Sequence, residues 1–556
     1  FNTVYASFDI WKGIKFASTF SYDFVMNKSR AWKDPRTSDG DDDNGRFSKD
    51  YNDITNMTWS NILTYQTKIK KKHNLDLLVG YEINSKESDG LGTTISNFAR
   101  WDKPEVNNGV VYQSMGGSNS TTRIVSYITR ANYDYDNKYY LGASWRTDGS
   151  SRLARENRWG NFWSLSGAWR VSSESFMKPL QNWLSDLKLR VSYGVNGTLP
   201  SSYYGYMGLS SLTSNYNDNP GITQSQLENK ELTWETNYNF NSGIDLGFFD
   251  NRLNVTFEYY VRTTKNLLYS RPLSLATGFS SYLANIGKLQ NKGYELEIRS
   301  TNIETKDFRW STSLNLGHNA NKILKLDGDL KQVTSGTSIH KVGLPYSTYY
   351  MIEFAGIDPV DGEPMFYKNT TDENGNLNKE TTKDPRSAEK VILQCADPTI
   401  TGGLGNSISY KWFDLNFNVN FSFGAWNYDG AAGKLEHGGD GTLNIPIYYR
   451  KRWQKEGDET SIERFVVGRS ISMTDYATTR RLYSGDYVRL KNLTFGFTLP
   501  KTWTRKVGID NIRLYASGNN LLTWAAYDYI DPESGSSPSW DTPPMRTYTF
   551  GLEVKF

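Results

Sequence analysis

The chain has very little cysteine or histidine and no long apolar run. Cys395 is its one cysteine, so no internal disulfide can form, and cysteine motifs for metal or redox chemistry are absent. The longest apolar runs cover a handful of residues, far short of the roughly 20 that a membrane-spanning helix needs. Its four histidines are widely scattered, and neither HExxH nor GxSxG occurs. The sequence therefore predicts no spanning helix and carries no signature of a zinc or serine hydrolase.

Two further function classes also lack support. Carboxylate pairs are too common on the polar segments to mark a catalytic dyad, so we predict that the protein is not an enzyme, with no catalytic residue and no cofactor. The formal net charge of +3 is small for 556 residues, and no basic stripe with interleaved aromatics is present, which disfavours nucleic acid as a partner. The lysine-rich stretch "KIKKKHN", residues 68–74, is interpreted as a solvated turn.

Aromatic residues, in contrast, are abundant. They make up 14% of the chain, with 37 Tyr and 17 Trp. Because Tyr and Trp combine an apolar body with a polar tip, their excess suits either a water–lipid boundary or a sugar-binding surface. Composition leaves both interpretations open.

Alternation of apolar and polar residues recurs from end to end, whereas helical periodicity is rare. In "LDLLVGYEI", for example, Leu75, Leu77, Val79, Tyr81 and Ile83 fall on one face. About 17 such segments have roughly the length that crosses a bilayer at a tilt. Four precede residue 84, and the others lie near 122–135, 139–147, 161–171, 187–196, 232–247, 251–263, 289–302, 308–318, 400–410, 413–424, 486–498, 510–520 and 546–556.

The connections between these segments alternate between short and long. The short ones include "WKG", "KKKHN", "DNK", "FDN", "IETKD" and "YKW". The long polar ones lie near residues 26–50, 86–121, 197–231, 264–288, 319–399, 425–485 and 521–545. This asymmetry is typical of an outer-membrane barrel with short periplasmic turns and long extracellular loops. The predicted fold class is all-β, a transmembrane antiparallel β-barrel in the outer membrane of a Gram-negative bacterium.

Strand parity indicates an incomplete barrel. If "WKG" is a periplasmic turn, the first visible strand runs inward, and in strict alternation the seventeenth also runs inward. A closed antiparallel bacterial barrel normally has an even strand number with both termini on the periplasmic side. We therefore expect an odd number of strands to be missing upstream, and no leader is visible before "FNTVYASFDIWKG".

Five longer stretches carry a more specific pattern. They lie at residues 158–198, at 229–268 with "LTWET" and "FFDNRL", at 285–298 with "NKGYELEI", at 486–500 with "DYVRLKNLTFGFTLP", and at 514–533 with "LYASGNNLLTW". In this order they resemble the barrel of SusC/RagA-type TonB-dependent transporters, the outer-membrane nutrient importers of Bacteroidota. The resemblance extends from about Arg123 to the C-terminus.

This resemblance implies a 22-stranded barrel preceded by a plug domain and a TonB-contacting segment. Residues 1–556 would then be one domain, the C-terminal part of that barrel, with the plug absent from this chain. It also implies a SusD-like surface lipoprotein, oligosaccharide or oligopeptide cargo, TonB contact through the missing N-terminal part, and insertion into outer-membrane lipid by the barrel assembly machinery.

Aromatic residues of the long loops are the best candidates for contact with cargo, because aromatic faces stack on sugar rings and grip peptide side chains. They could equally form an outer aromatic girdle, pack the loops or meet a partner. The candidates are Tyr346, Tyr349, Tyr350, Trp426, Tyr428, Tyr449, Trp453, Trp524 and Tyr527.

The acidic stretch "DGDDDNG", residues 39–45, resembles a calcium loop only in part. Asp39, Asp41 and Asp43 are candidate ligands, because calcium favours clustered carboxylate oxygens. With Asp39 in first place, however, the sixth position is Asn44 rather than Gly and the twelfth is Asp50 rather than Glu. A solvated loop without metal is the favoured interpretation.

The C-terminal "TYTFGLEVKF" ends on an apolar stripe, although chain ends are usually polar and frayed. In a barrel this stripe would face lipid on the last strand. Its terminal phenylalanine resembles the signal read by the assembly machinery, so Tyr548, Phe550 and Phe556 are assigned as an assembly signal.

Two alternatives from other function classes remain. A passive porin or adhesin barrel would share the strand pattern but have no plug. A soluble sugar-binding β-propeller would show strands in groups of four with a blade-length repeat, and no such repeat is visible.

Overall fold

Strands form most of the protein, as the alternation predicts. A computed structural model describes residues 1–217, 219–326, 328, 330–372, 375–439, 444–468, 476–527, 529–534 and 544–556. None of the helices within these ranges is long and apolar enough to cross a membrane. The described chain divides into two compact units. Unit 1 comprises Phe1–Arg170, Arg190–Phe240 and Thr263–Gly287, and unit 2 comprises Val171–Leu189, Asn241–Arg262 and Lys288–Phe556.

Unit 1 begins with an antiparallel meander in which each strand pairs with the next. Its strands are β1 (Asn2–Trp11), β2 (Ile14–Lys33), β3 (Arg46–Ile69), β4 (His73–Phe98), β5 (Gly109–Tyr135), β6 (Tyr139–Ser150) and β7 (Trp159–Arg170). Turns of two to three residues join β1 to β2, β3 to β4 and β5 to β6, and we call this the short-turn end of the strands.

The next part of the chain alternates long strands with short hairpins in the loops. We use wall strand for the long strands that pair side by side in series, such as β1 to β7. The strands of this part are β8 (Leu184–Thr198), β9 (Leu209–Tyr216), β10 (Asn219–Gln226), β11 (Glu235–Phe248), β12 (Leu253–Lys265), β13 (Leu268–Pro272) and β14 (Ser281–Asn285). The hairpins β9–β10 and β13–β14 lie within predicted loops, and each closes by antiparallel pairing. The residues of β8, β11 and β12 are divided between the two units.

Unit 2 contains a second antiparallel series, in which β15, β16, β24, β25, β28, β29 and β30 pair in that order. Its strands are β15 (Lys288–Glu304), β16 (Phe308–Lys325), β17 (Gln332–Ser335), β18 (Ser338–Lys341), β19 (Thr348–Ile352), β20 (Phe354–Ile357), β21 (Pro364–Tyr367), β22 (Thr381–Thr382), β23 (Lys390–Cys395), β24 (Ile400–Tyr410), β25 (Phe413–Phe423), β26 (Trp426–Tyr428), β27 (Leu482–Ser484), β28 (Tyr487–Thr498), β29 (Asn511–Ala525) and β30 (Thr547–Lys555). The α-helices are α1 (Gly430–Leu435) and α2 (Lys501–Thr504).

Each wall strand has an apolar and a polar face. In β4, Leu77 and Val79 lie on the apolar face, and Val79 is 57% exposed. In β25, Phe417 and Val419 alternate with Asn418 and the other polar residues of "DLNFNVNFSF". Exposed apolar side chains in such numbers are what a lipid-facing surface requires. The all-β class is therefore confirmed, whereas the total of 22 strands stays a prediction.

The predicted loops near 26–50 and 86–121 are wrong in extent. β2 and β3 are 20 and 24 residues long, and β4 and β5 are 26 and 27. Unbroken pairing joins β2 to β3 from Ile14 to Lys33, and β4 to β5 up to Phe98 with one bulge. Parts of these segments, such as "NKSRAWK" and "GGSNST", carry polar residues on both faces, so no regular alternation marks them as strands, but their backbones still pair.

Buried side chains are few and lie in small clusters. In unit 1, Leu153, Phe162, Leu232 and Trp234 pack together, and the Trp234 indole N–H donates to the carbonyl oxygen of Arg158 at 3.1 Å. In unit 2, Val171, Met177 and Leu184 form one cluster and Ile352 and Phe366 another. These clusters fix loops and turns to the ends of the wall strands.

Candidate functional site

A short antiparallel hairpin, formed by β26 and β27, closes the base of the long loop 425–485 in unit 2. β26 pairs with β27 through Trp426–Ser484, Asn427–Tyr483 and Tyr428–Leu482. The Asp429 N–H then donates to the Arg481 carbonyl oxygen at 2.9 Å. Asp429 also caps α1, because its Oδ1 accepts the Ala432 N–H at 2.7 Å. Residues far apart in sequence thus meet at one point.

Buried ionic side chains lie beside this hairpin. Glu463 is fully buried; its Oε2 pairs with Arg480 Nη1, and its Oε1 accepts the Tyr449 hydroxyl at 2.7 Å. Glu436 Oε2 lies 3.6 Å from Arg480 Nε and 3.3 Å from Arg481 Nε. Two carboxylates thus face two guanidinium groups. Burying charges is costly, and the pairing with hydrogen bonds compensates for that cost.

A layer of tyrosines covers these charges. The Tyr483 and Tyr527 rings stack with centroids 3.6 Å apart, and the Tyr527 hydroxyl donates to Asp429 Oδ2 at 3.1 Å. Tyr448 donates to Glu436 Oε1 at 2.5 Å. Tyr529 contacts the rings of both Tyr448 and Tyr527, and it is 69% exposed. The layer therefore runs from a buried ionic base to the surface.

We call this set the loop cluster. Its members are Tyr428, Asp429, Glu436, Tyr448, Tyr449, Glu463, Arg480, Arg481, Tyr483, Tyr527 and Tyr529.

The electrostatics of the loop cluster keep its phenols neutral. Burial, reinforced by neighbouring Glu463, raises the pKa of Tyr449 well above its usual range. Burial and the Asp429 carboxylate raise the pKa of Tyr527 in the same way. Burial opposes the charge of Arg480, but the carboxylates of Glu463 and Glu436 raise its pKa above the ordinary value. The phenols act as hydrogen-bond donors and the arginine as a permanent cation.

A second feature of unit 2 is a groove along the polar face of β15, β16, β24 and β25. Its rows follow cross-strand register: Glu297, Asn315, Gly403 and Asn420 form one row, and Arg299, Ser313, Gly405 and Asn418 form the next. The Glu297 and Arg299 side chains pair at 2.5 Å. The groove offers mainly amide, hydroxyl and backbone groups.

Glycines keep this groove open. A Cβ at Gly405 would lie 2.6 Å from Ser313 Oγ and 2.8 Å from Asn418 Oδ1. A Cβ at Gly403 would lie 2.8 Å from Asn315 Oδ1. All three distances are shorter than van der Waals contact, so a larger residue would displace the polar side chains that line the groove.

The predicted aromatic candidates are only partly brought together. Tyr428, Tyr449 and Tyr527 belong to the loop cluster, with Tyr449 buried, and Trp426 lies in its hairpin. Tyr346 stacks on His340 at 4.1 Å, and Tyr349 and Tyr350 lie in β19, with Tyr349 buried. Trp453 donates to the Pro359 carbonyl oxygen at 3.0 Å. Trp524 lies opposite Val488 on the apolar face of its strand, and the Trp524 side chain is 60% exposed.

The predicted calcium candidates lie in the turn between β2 and β3. Asp43 pairs with Arg46 at 2.7 Å, and Asp39 accepts the Thr37 hydroxyl at 2.7 Å. Across the described ranges, no three His, Cys, Asp or Glu side chains are arranged to hold a metal ion. Parts of the predicted loops 197–231, 319–399, 425–485 and 521–545 lie outside the described residues.

Sequence reasoning missed the ionic residues of the loop cluster. Glu436, Glu463, Arg480 and Arg481 come from separate loop segments without periodicity. The only local signal is the Arg480–Arg481 pair directly before the "LYSGDY" of β27. Adjacent arginines entering a strand could have suggested buried carboxylate partners.

Comparison with known proteins identifies the family. The family model "TonB dependent receptor-like, beta-barrel" matches residues 2–521. The chain belongs to this family. It is 32% identical to TonB-dependent receptor P3 of Formosa agariphila, over 99% of this chain and 57% of that protein. It is 30% identical to TonB-dependent receptor SusC of Bacteroides thetaiotaomicron, over 78% of this chain and 44% of that protein.

A solved structure agrees with the family. The structure of the RagAB peptide transporter matches with a TM-score of 0.87 and 27% identity, over all of this chain and 61% of that one. The chain thus spans somewhat over half the length of the first relatives that it matches. The predicted SusC/RagA resemblance is confirmed at the level of the family.

Proposed function

We propose that this chain forms the barrel wall and mouth of a SusC-like TonB-dependent transporter in the outer membrane of a Gram-negative bacterium. The whole protein would import oligosaccharides or oligopeptides with a SusD-like surface lipoprotein. The loop cluster is the observation that carries this proposal. Its buried ion pairs hold the long loop 425–485 in one arrangement, and its tyrosines join that loop to the one that presents Tyr529 at the surface.

The division of roles follows from the faces of the sheet. The apolar face would contact outer-membrane lipid, and the polar groove along β15 to β25 would line the path. A groove rich in amides and hydroxyls suits cargo with many hydrogen-bonding groups, which oligosaccharides and peptides share. The relatives are longer, so the proposal leaves TonB contact to parts of the whole protein other than these strands.

Exposed aromatics would make the first contact with cargo or with the lipoprotein. Tyr346 and Tyr529 are exposed, whereas Tyr349 and Tyr449 are buried and would act by holding their loops. The apolar position of Trp524 favours a role at the lipid boundary. The terminal stripe Tyr548, Phe550 and Phe556 would serve assembly by the barrel assembly machinery.

Uptake by the whole transporter tests this function. A deletion strain carrying the full-length gene should grow on the cargo, and growth should cease when TonB is removed. Panels of oligosaccharides and oligopeptides supplied separately would distinguish the two cargo classes. Uptake that persists without TonB would instead indicate a passive porin, and unchanged growth of the deletion strain on every cargo would contradict the import proposal.

A further inference from the structure

The short-turn end of unit 1 carries a row of aromatic side chains. His73, Tyr135, Tyr139 and Trp169 lie directly opposite one another on β4, β5, β6 and β7. Their ring centroids are 5.0, 6.4 and 6.3 Å apart along the row. The row shares the apolar face with Leu75 and Leu77 and ends the apolar band at the turns. Rings in such a position mark a membrane–water boundary.

Lysines lie in the turns at the same end of the strands as this aromatic row. Lys70, Lys71 and Lys72 form the turn between β3 and β4, and Lys12 lies in the adjacent turn between β1 and β2. All four side chains are exposed. The Gln66 N–H donates to the Gly13 carbonyl oxygen at 2.8 Å, so the turn that carries Lys12 lies against β3, four residues before the Lys70–Lys72 turn. Positive charge is thus gathered at the short-turn end of the strands.

Little negative charge balances these lysines. Lys72 pairs with Asp136 at 3.6 Å. Within the described ranges, Lys12, Lys70 and Lys71 have no ion pair. Lys70 and Lys71 adopt positive φ values of 49° and 61°, as residues of tight turns between strands do. Three compact cations are therefore exposed at the same short-turn end of the strands that carries the aromatic row.

We propose that Lys12, Lys70 and Lys71, with the aromatic row, bind the phosphate headgroups of anionic phospholipids. The row would contact the glycerol and upper acyl region, and the ammonium groups would contact phosphate oxygens. Cations at a membrane surface attract anionic lipid, each strengthening binding about fivefold. The proposal rests on the membrane location assigned under the proposed function, and it gives "KIKKKHN" a role beyond that of a solvated turn.

Native mass spectrometry of the purified full-length transporter tests this site. The protein is mixed with equal phosphatidylglycerol and phosphatidylethanolamine in detergent, and bound lipid is counted. Wild type should retain phosphatidylglycerol preferentially. The K12Q/K70Q/K71Q variant should lose about fivefold in retention for each lysine removed, whereas the matching arginine variant should keep it. The control removes three exposed lysines of the long loops, Lys331, Lys390 and Lys455.

The outcomes separate this proposal from its rivals. Equal retention of both lipids, or equal loss in the control variant, would overturn it. Displacement of phosphatidylglycerol by millimolar inorganic phosphate would also overturn it, because that result describes a simple anion site that does not use the aromatic row. Uptake is measured separately, and the triple variant should still transport. A failure of lipid binding is therefore distinguishable from a failure of the transport proposal.

Discussion

The ring of Tyr527 lies flat against the ring of Tyr483, with 19° between their planes. Tyr527 follows β29 and Tyr483 lies in β27, so this stack joins two loops. Stacking and the Tyr527–Asp429 hydrogen bond act on the same side chain, and substitutions can separate them. Substitutions in the tyrosine layer can therefore measure separately how much each interaction contributes to holding the two loops together.

Removing only the Tyr527 hydroxyl should loosen the loop cluster. Tyr527→Phe keeps the stack but leaves Asp429 Oδ2 without its donor, and the loss should be about 2 kcal/mol because the acceptor is charged. The rate of limited proteolysis within residues 425–485 of the full-length protein measures the change. Tyr529→Phe, at an exposed ring, is the control, and equal cleavage rates in the two variants would refute the assigned bond.

Neutralising Glu463 should have a larger effect. Glu463→Gln leaves Glu436 as the remaining carboxylate partner of the buried Arg480. The free energy that holds the loop closed should fall by about 3 kcal/mol. The same proteolysis assay reports it, together with thermal unfolding of the whole barrel. Glu456→Gln, at an exposed loop position, should change neither value. If both variants were cleaved like wild type, the buried pair would not hold these loops.

The loop cluster should open at alkaline pH. Because burial raises the pKa of Tyr449, the folded cluster retains the phenol proton above pH 10, while the opened state releases it. Tyr449 therefore has no effect on the pH dependence below about pH 10, and stability falls as pH rises beyond that value. Proteolysis between pH 8 and pH 11 should accelerate above pH 10, and Tyr449→Phe should make this dependence shallower. An unchanged slope would contradict the assignment.

Filling the polar groove should impair import without destroying the barrel. Gly405→Val places its side chain against Ser313 and Asn418 and should cost about 1–3 kcal/mol through overpacking. Cargo uptake by cells with equal surface levels of transporter measures the functional effect, and a decrease is expected. Gly116→Val, where a Cβ would have no neighbour within 4 Å, is the matched control. Normal uptake by G405V would exclude this groove from the path.

Deleting Phe556 should lower assembly far more than it changes binding by barrels that are already assembled. Phe556 is 90% exposed after β30, so its loss removes no internal packing. Surface labelling and heat-modifiable gel mobility give the level of folded barrel. Phe556→Tyr should assemble normally and Lys555→Gln should have no effect. A normal surface level in the deletion variant would rule out the assembly signal.

The sequence was sufficient to predict the wall strands, because alternation reports directly on a strand with one apolar and one polar face. Each of the 17 predicted segments overlaps one wall strand of the described structure. The parts of β2 to β5 that lie farthest from the short turns were missed because they lack this alternation. "NKSRAWK" in β2 and "GGSNST" in β5 have polar residues on both faces, so only the neighbouring strands specify that they pair.

The candidate site was predictable only in its aromatic part. Tyr428, Tyr449 and Tyr527 are recognisable as loop aromatics, but their surroundings depend on contacts over up to 98 positions, as between Tyr527 and Asp429. Glu463 in "SIERFVV" looks like any surface carboxylate until Arg480 is placed against it. Such contacts follow from loop packing, which leaves no local pattern.

The long strands of unit 1 set how far the sheet would extend beyond a membrane. At about 3.3 Å per residue and a tilt near 40°, the 27 residues of β5 rise roughly 70 Å, whereas the hydrocarbon layer takes up about 25 Å. In the outer membrane proposed for this protein, a rim built from β4 and β5 would reach about 40 Å beyond the hydrocarbon layer. In the proposed transporter, loops carried on this rim would meet cargo well outside the membrane.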